Sequence, residues 1–176
     1  MTPKPKLPTE ESLELPVDEL LKRAKPHPPY GEAEASSMAR GPVVVDSDVF
    51  SARLVPDSLL ARRYEPLLLG RSEFIAFQTL AEIRAGAYLK GWGAVRVQRM
   101  EGALAKVEVV HSGDELAEVY ARLRAECQAA GHPLHQKIHD GDRWVAAVAL
   151  RLQLPLVSND NIFKNVPRLT LETLVD

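Results

Sequence analysis

The chain has one cysteine, Cys127, so neither an internal disulfide framework nor a cysteine-rich zinc site can be built from it. Aromatic residues make up only 6%, so any stacking on nucleobases would rest on a few side chains such as Trp92 or Trp144. No apolar run approaches the roughly 18 residues of a membrane span. The N-terminal lysines in MTPKPKLPTEESLELP have no apolar stretch behind them, so the segment does not read as a signal peptide. The expected location is the cytoplasm. A formal net charge of −2 argues against broad, non-specific affinity for nucleic acid, while leaving room for a local basic surface.

What is present suits one ordinary domain. The 176 residues are 45% hydrophobic and 26% charged, the balance of a soluble globular chain. Eight of the thirteen prolines fall in residues 1–42, which read as an extension. Within it LPVDELLKRA offers a short amphipathic helix through Leu15, Val17, Leu20 and Leu21, and KPHPPYGEAEASSMARGP reads as a linker. Such a helix is too short to stand alone. Two arrangements are open to it. It is a dispensable extension, or it lies across a groove of the same molecule with Lys22, Arg23 or Lys25 near the acids described below.

Residues 43–176 form the expected folded domain, where strand and helix patterns alternate. VVVD (43–46), EFIAF (73–77), KVEVVH (106–111) and PLVS (155–158) read as strands, with a last short element in 169–175. Helices are expected over 57–70, 79–91, 94–105, 112–131 and 141–154, the fourth capped by Ser112 and closed by Gly131. The pattern predicts an α/β fold: a three-layer α/β/α sandwich around a parallel sheet of four to five strands. In such sheets ligands gather at the carboxyl ends of the strands.

Acids collect at that edge. Asp46 and Asp48 follow the first strand in VVVDSDVF, and Asp160 follows the fourth in SNDN. Turn chemistry alone accounts for any one of them. Asp142 shares a helical stripe with Val145, Ala149 and Leu152, so it begins a helix at the edge of the core. Glu82 shares its stripe with Ala85, Gly86 and Leu89, which reads as a close-packing face. Carboxylates brought about 5 Å apart repel by roughly 3 kcal/mol at an effective dielectric near 20. An oxygen-only set of this kind suits Mg²⁺ or Mn²⁺ rather than zinc. The histidines are scattered through the linker and a loop and do not make such a site.

VVVDSDVF by itself resembles the first motif of haloacid-dehalogenase-like phosphatases, in which the first Asp is the nucleophile. The later motifs of that family come in a different order from those of this chain. A second resemblance runs from Val43 almost to the end. VVVDSDVF, TLAEIRAGA, HDGDRWVAAVALRLQLPLVSND and SNDNIF together resemble a PIN domain, and specifically the VapC-like ribonuclease toxins of toxin–antitoxin pairs. The resemblance places the acids at Asp46, Glu82, Asp142 and Asp160. Asp140 competes with Asp142 for the third position and falls to a supporting role. The family more often carries Asn or Ser where this chain has Asp48, and Thr where it has Ser158; both are candidates to support the ligands.

The resemblance implies hydrolysis of RNA phosphodiesters with one or two Mg²⁺ or Mn²⁺ ions among the four acids, leaving 5′-phosphate and 3′-hydroxyl ends. It implies an RNA substrate (tRNA is common in the family), an antitoxin partner and a homodimer. Arg143, Arg53 and Lys164 are the leading candidates for RNA phosphate contacts, ahead of Arg62, Arg63, Arg96 and Arg99. A DxD phosphatase and a non-catalytic PIN-fold module that binds RNA or protein are the alternatives.

Overall fold

A computed structural model describes residues 15–24 and 40–175. Its sheet has five strands, β1 (Val43–Val45), β2 (Glu73–Ala76), β3 (Glu108–Val110), β4 (Leu156–Val157) and β5 (Leu171–Glu172). They lie in the order β3-β2-β1-β4-β5, every neighbouring pair parallel. All three valines of β1 and all four residues of β2 are buried, because helices cover both faces. Alternation along the strands sorts side chains between two cores. Val44, Phe74, Ala76, Val110 and Leu156 face α6 (Asp114–Ala129) and α7 (Asp140–Leu152). Val43, Val45, Ile75 and Val157 face α2 (Ser47–Ala52), α3 (Leu59–Leu68), α4 (Phe77–Leu89) and α5 (Ala94–Leu104). This is the expected α/β/α sandwich with a parallel sheet.

Local chemistry sets the helix ends. Ser58 caps α3 through its hydroxyl, 3.2 Å from the Ala61 amide, and Pro66 lies inside that helix two residues before its end. Gly70 and Gly131 take left-handed backbone, φ 73° and 66°, just beyond α3 and α6. Two local expectations do not hold. α6 starts from Gly113 rather than Ser112 and has no side-chain cap, its first turn being acidic instead through Asp114 and Glu115. α2 was not expected: at six residues it is too short to show a helical period, and an aspartate nucleates it.

The N-terminal helix, α1 (Val17–Arg23), docks on the α6–α7 side of the sheet beside β3. Leu20 is buried, with Leu15, Val17 and Ala24 packed around it. Two hydrogen bonds hold its ends: Arg151 donates to the Leu15 carbonyl at 3.0 Å, and the Ser72 hydroxyl to the Ala24 carbonyl at 3.4 Å. Arg151 lies in the last turn of α7 and Ser72 just before β2, so both anchors stand away from the carboxyl ends of the strands. Lys22 and Arg23 pair with Asp18 and Glu19 of their own helix. The groove arrangement is therefore corrected: α1 does not lie across the acids. Lys25 and most of the expected linker fall outside the described residues.

Candidate active site

Strand β1 is central, with β2 on one side and β4 on the other. The chain reverses its direction of sheet growth there, and a crevice opens beyond the carboxyl ends of β1 and β4. Asp46 ends β1 and caps α2, its carboxylate accepting from the Ser47 amide at 2.7 Å. Its second oxygen accepts from the Ser158 hydroxyl at 2.8 Å, and that hydroxyl accepts from the Asp160 amide at 3.0 Å. Ser158, fully buried at the end of β4, thus links two acidic positions and fixes its own proton toward Asp46.

Electrostatics single out Asp46. It is 4% exposed, and its pKa is pushed up to about 7, first by burial and next by the charge of Asp48, with Asp142 adding to the rise. The Ser158 and Ser47 hydrogen bonds oppose the shift without cancelling it. Asp48 is also raised, by burial, with a contribution from the charge of Asp160, and it shares a hydrogen bond with the Asp46 carboxyl. Asp46, Asp48, Asp142 and Asp160 therefore sense one another across the crevice.

The helices bring the remaining acids. Asp142 stands in the first turn of α7 above Val145, Ala149 and Leu152, all buried as that stripe predicts. One of its oxygens lies 2.9 Å from His139 Nδ1. Glu82 departs from expectation: it is exposed, and so are Ala85 and Leu89, the latter 88%. The covered face of α4 is Thr79, Ile83 and Ala87. Glu82 nonetheless reaches the start of α7. A Cβ placed on Gly141 would stand 3.2 Å from both Glu82 Oε1 and Gln78 Nε2, so a glycine is what allows this approach. Asp160 is exposed and also caps the turn Asn161–Phe163 through the Ile162 amide at 2.9 Å.

A family model for the PIN domain matches residues 43–169. The chain belongs to the PIN domain family. The ribonuclease VapC5 of Mycobacterium tuberculosis is 29% identical to it over 126 residues, covering 68% of this chain and 84% of the relative. Among solved structures, VapBC-5 from the same organism, a member of the VapBC family of toxin–antitoxin systems, is 28% identical with a TM-score of 0.55, covering 77% of this chain and 98% of that one. VapBC2 from Rickettsia felis, solved with a DNA fragment from its promoter, shares the fold at 22% identity and a TM-score of 0.62, covering 74% of this chain and 97% of that one. Membership confines the phosphatase likeness to the single motif VVVDSDVF.

In this PIN domain the donor set is oxygen-rich and partly buried, and a carboxyl whose pKa is raised first by burial and then by its neighbours' charge marks a deficit that a hard divalent cation would relieve. The residues fit such an ion by chemistry. Among the described residues no three acid, histidine or cysteine side chains lie close enough together to enclose one. No helix of the described residues is long and apolar enough to cross a membrane.

Several surface assignments are corrected. Arg143 is 1% exposed and donates inward to the carbonyls of Leu134, His135 and Gln136 and to Asp140. Arg53 is paired with buried Glu73 at the opposite end of the sheet, 2.5 Å at the closest approach. Neither is free for a phosphate. Asp140 accepts from Tyr120 and Arg143, not from a partner in the crevice. Trp144 is stacked on Tyr120 with centroids 4.0 Å apart, and Trp92 lies under Arg96 at 3.8 Å. Lys164 is half-exposed, just after the turn that Asp160 caps.

Two side chains were missed. Buried Tyr64 donates within 3.1 Å of the Ser158 carbonyl and Asn159 Oδ1 and accepts from the Leu174 amide at 3.0 Å, fixing the loop that carries Asp160. Its sequence surroundings on α3 suggest only core packing. His139 had a signal, standing three residues before Asp142.

Proposed function

We propose that the protein is a metal-dependent endoribonuclease, the toxin of a toxin–antitoxin pair. One observation carries the reading: a PIN domain presents a carboxyl, Asp46, at the tip of its central strand, its pKa raised to about 7 first by burial and then by the charge of Asp48 and Asp142. Asp46, Glu82, Asp142 and Asp160 are assigned to hold one or two Mg²⁺ or Mn²⁺ ions. When bound, such ions supply activation of a water and charge compensation at the scissile phosphate. The protein's share is positional. Ser158 and the Ser47 amide aim Asp46, His139 steadies Asp142, and Tyr64 fixes the loop of Asp160. Asp48 adds a further negative oxygen beside Asp46 and raises the demand for cations.

The named relatives support the biological setting. One is a ribonuclease, and the solved structures are of toxin–antitoxin systems, so an antitoxin protein is the proposed partner; a homodimer is proposed on the family resemblance alone. The deciding experiment is cleavage of end-labelled tRNA and single-stranded RNA with Mn²⁺, with Mg²⁺ and with EDTA, beside Asp46→Asn and Asp142→Asn. The reading expects metal-dependent cuts with 5′-phosphate ends that both substitutions abolish. Intact RNA in every lane would remove it in favour of a binding module.

A further inference from the structure

An acidic crevice that takes RNA needs cations at its edge, and Arg53 and Arg143 are both engaged inside the protein. The engagement of Arg143 is informative in itself. One buried guanidinium donates to three consecutive carbonyls, Leu134 at 3.0 Å, His135 at 2.9 Å and Gln136 at 3.4 Å, and to the Asp140 carboxylate at 3.1 Å. Taking a charge out of water in this way is costly unless the geometry it secures is needed. What it secures is the shape of residues 132–139.

A second group ties that segment to the other acid-bearing loop. His132 Nδ1 accepts from the Leu134 amide at 3.1 Å, so the proton lies on Nε2, which donates to the Lys164 carbonyl at 2.8 Å. The first loop runs directly into the helix bearing Asp142; the second follows directly from Asp160. Lys137 is exposed on one and Lys164 half-exposed on the other. Neither has an acidic side chain as ion-pair partner among the described residues.

We propose that residues 132–139 and 161–164 form a preshaped rim that holds the sugar–phosphate backbone of an RNA strand through Lys137 and Lys164, with Arg143 as the positioning residue. The identity of the ligand rests on the ribonuclease reading above. The lysines offer compact charges on mobile stems, which suits contact with phosphates whatever the base sequence. Carried on loops that adjoin Asp142 and Asp160 in the chain, their charges would offset the repulsion between those carboxylates and an incoming phosphate.

The test uses the full chain and measures kcat/KM for cleavage of a labelled single-stranded RNA in Mn²⁺ at several salt concentrations. Lys137→Gln, Lys164→Gln and the double variant are compared with wild type, and with Lys90→Gln just beyond α4 as a charge control. Each rim change is expected to lower kcat/KM by about three- to ten-fold at low salt and to reduce the salt slope by about 0.7. The rise in Tm on adding Mn²⁺ should be unchanged, which separates the rim from the metal ligands. Rim variants that keep the wild-type salt slope would overturn the inference, as would an equal loss in Lys90→Gln, which would leave only bulk charge. If wild type itself cuts no RNA, the ribonuclease reading has failed and the rim falls with it.

Discussion

Asp46 is held in a state it would not choose in water. In the unfolded chain its carboxyl loses its proton near 3.8, whereas in the metal-free fold it keeps it to about 7. Below the lower value both states are protonated and the group is neutral in its effect. Between the two values the unfolded chain releases a proton that the fold retains, so stability falls as pH rises through that window and levels off above it. A shift of that size is worth on the order of 4 kcal/mol if Asp46 carried it alone, and less because Asp48 shares the hydrogen bond. In EDTA, Asp46→Asn should therefore be more stable than wild type at pH 8, by about 1–3 kcal/mol, with the difference vanishing toward pH 4. Denaturant midpoints across pH check this, and a pH-independent difference would refute it. His139 makes a complementary case. It holds Asp142 at 2.9 Å, so His139→Ala should weaken Mn²⁺ binding by about ten-fold, read by calorimetry, with little change in metal-free Tm.

At the scale of elements, α7 shows what the sequence conveys and what it withholds. Its stripe of Val145, Ala149 and Leu152 was legible from spacing, and with it the placement of Asp142. Ala146, Ala147 and Val148 are buried as well, so the helix is covered on nearly every side at its middle. That was the overlooked signal for Arg143, whose i+3 and i+4 neighbours are Ala146 and Ala147: a cation on such a face turns inward to carbonyls. Glu82 fails in the other direction. Small residues after it suggested a covered face, yet Ala85 and Leu89 are exposed, and what Glu82 meets is Gly141 at the start of a different helix. Periodicity along one helix cannot show such a contact between two. The glycine gives a discriminating prediction. Gly141→Ala should raise helix stability by about 0.5–1 kcal/mol. At the same time the new methyl pushes Glu82 and Gln78 back from 3.2 Å, so Mn²⁺ affinity should drop several-fold. A variant stabilised with metal binding intact would show that Glu82 does not depend on this approach.

At the scale of the whole molecule, the family match begins at Val43, yet the folded unit begins earlier. Leu20 is 3% exposed, a burial that its own short helix could not sustain without the α6–α7 core to receive it. Both flanks of the intervening stretch meet adjacent residues: Ala24 is bonded by Ser72, and Gly41 and Pro42 by Arg71. The helix is thus tethered close to its own docking site, where its local concentration is high. Arg71 extends the same brace to β5 through Glu172 at 2.7 Å, so the beginning and end of the domain are held by one buried guanidinium. Nothing in the periodicity of LPVDELLKRA could show where it docks, because an amphipathic face names no partner. The position of α1, beside β3 and remote from Asp46 and Asp160, makes it a support for the fold and not an inhibitor of the site. Leu20→Ala should accordingly lower stability by about 2–3 kcal/mol, or roughly 5–10 °C in Tm, by emptying a buried site. Specific RNA cleavage at a temperature well below that Tm should stay at the wild-type level. A rise in cleavage with unchanged Tm would reverse the assignment, because only a helix that blocks the crevice would release activity when loosened.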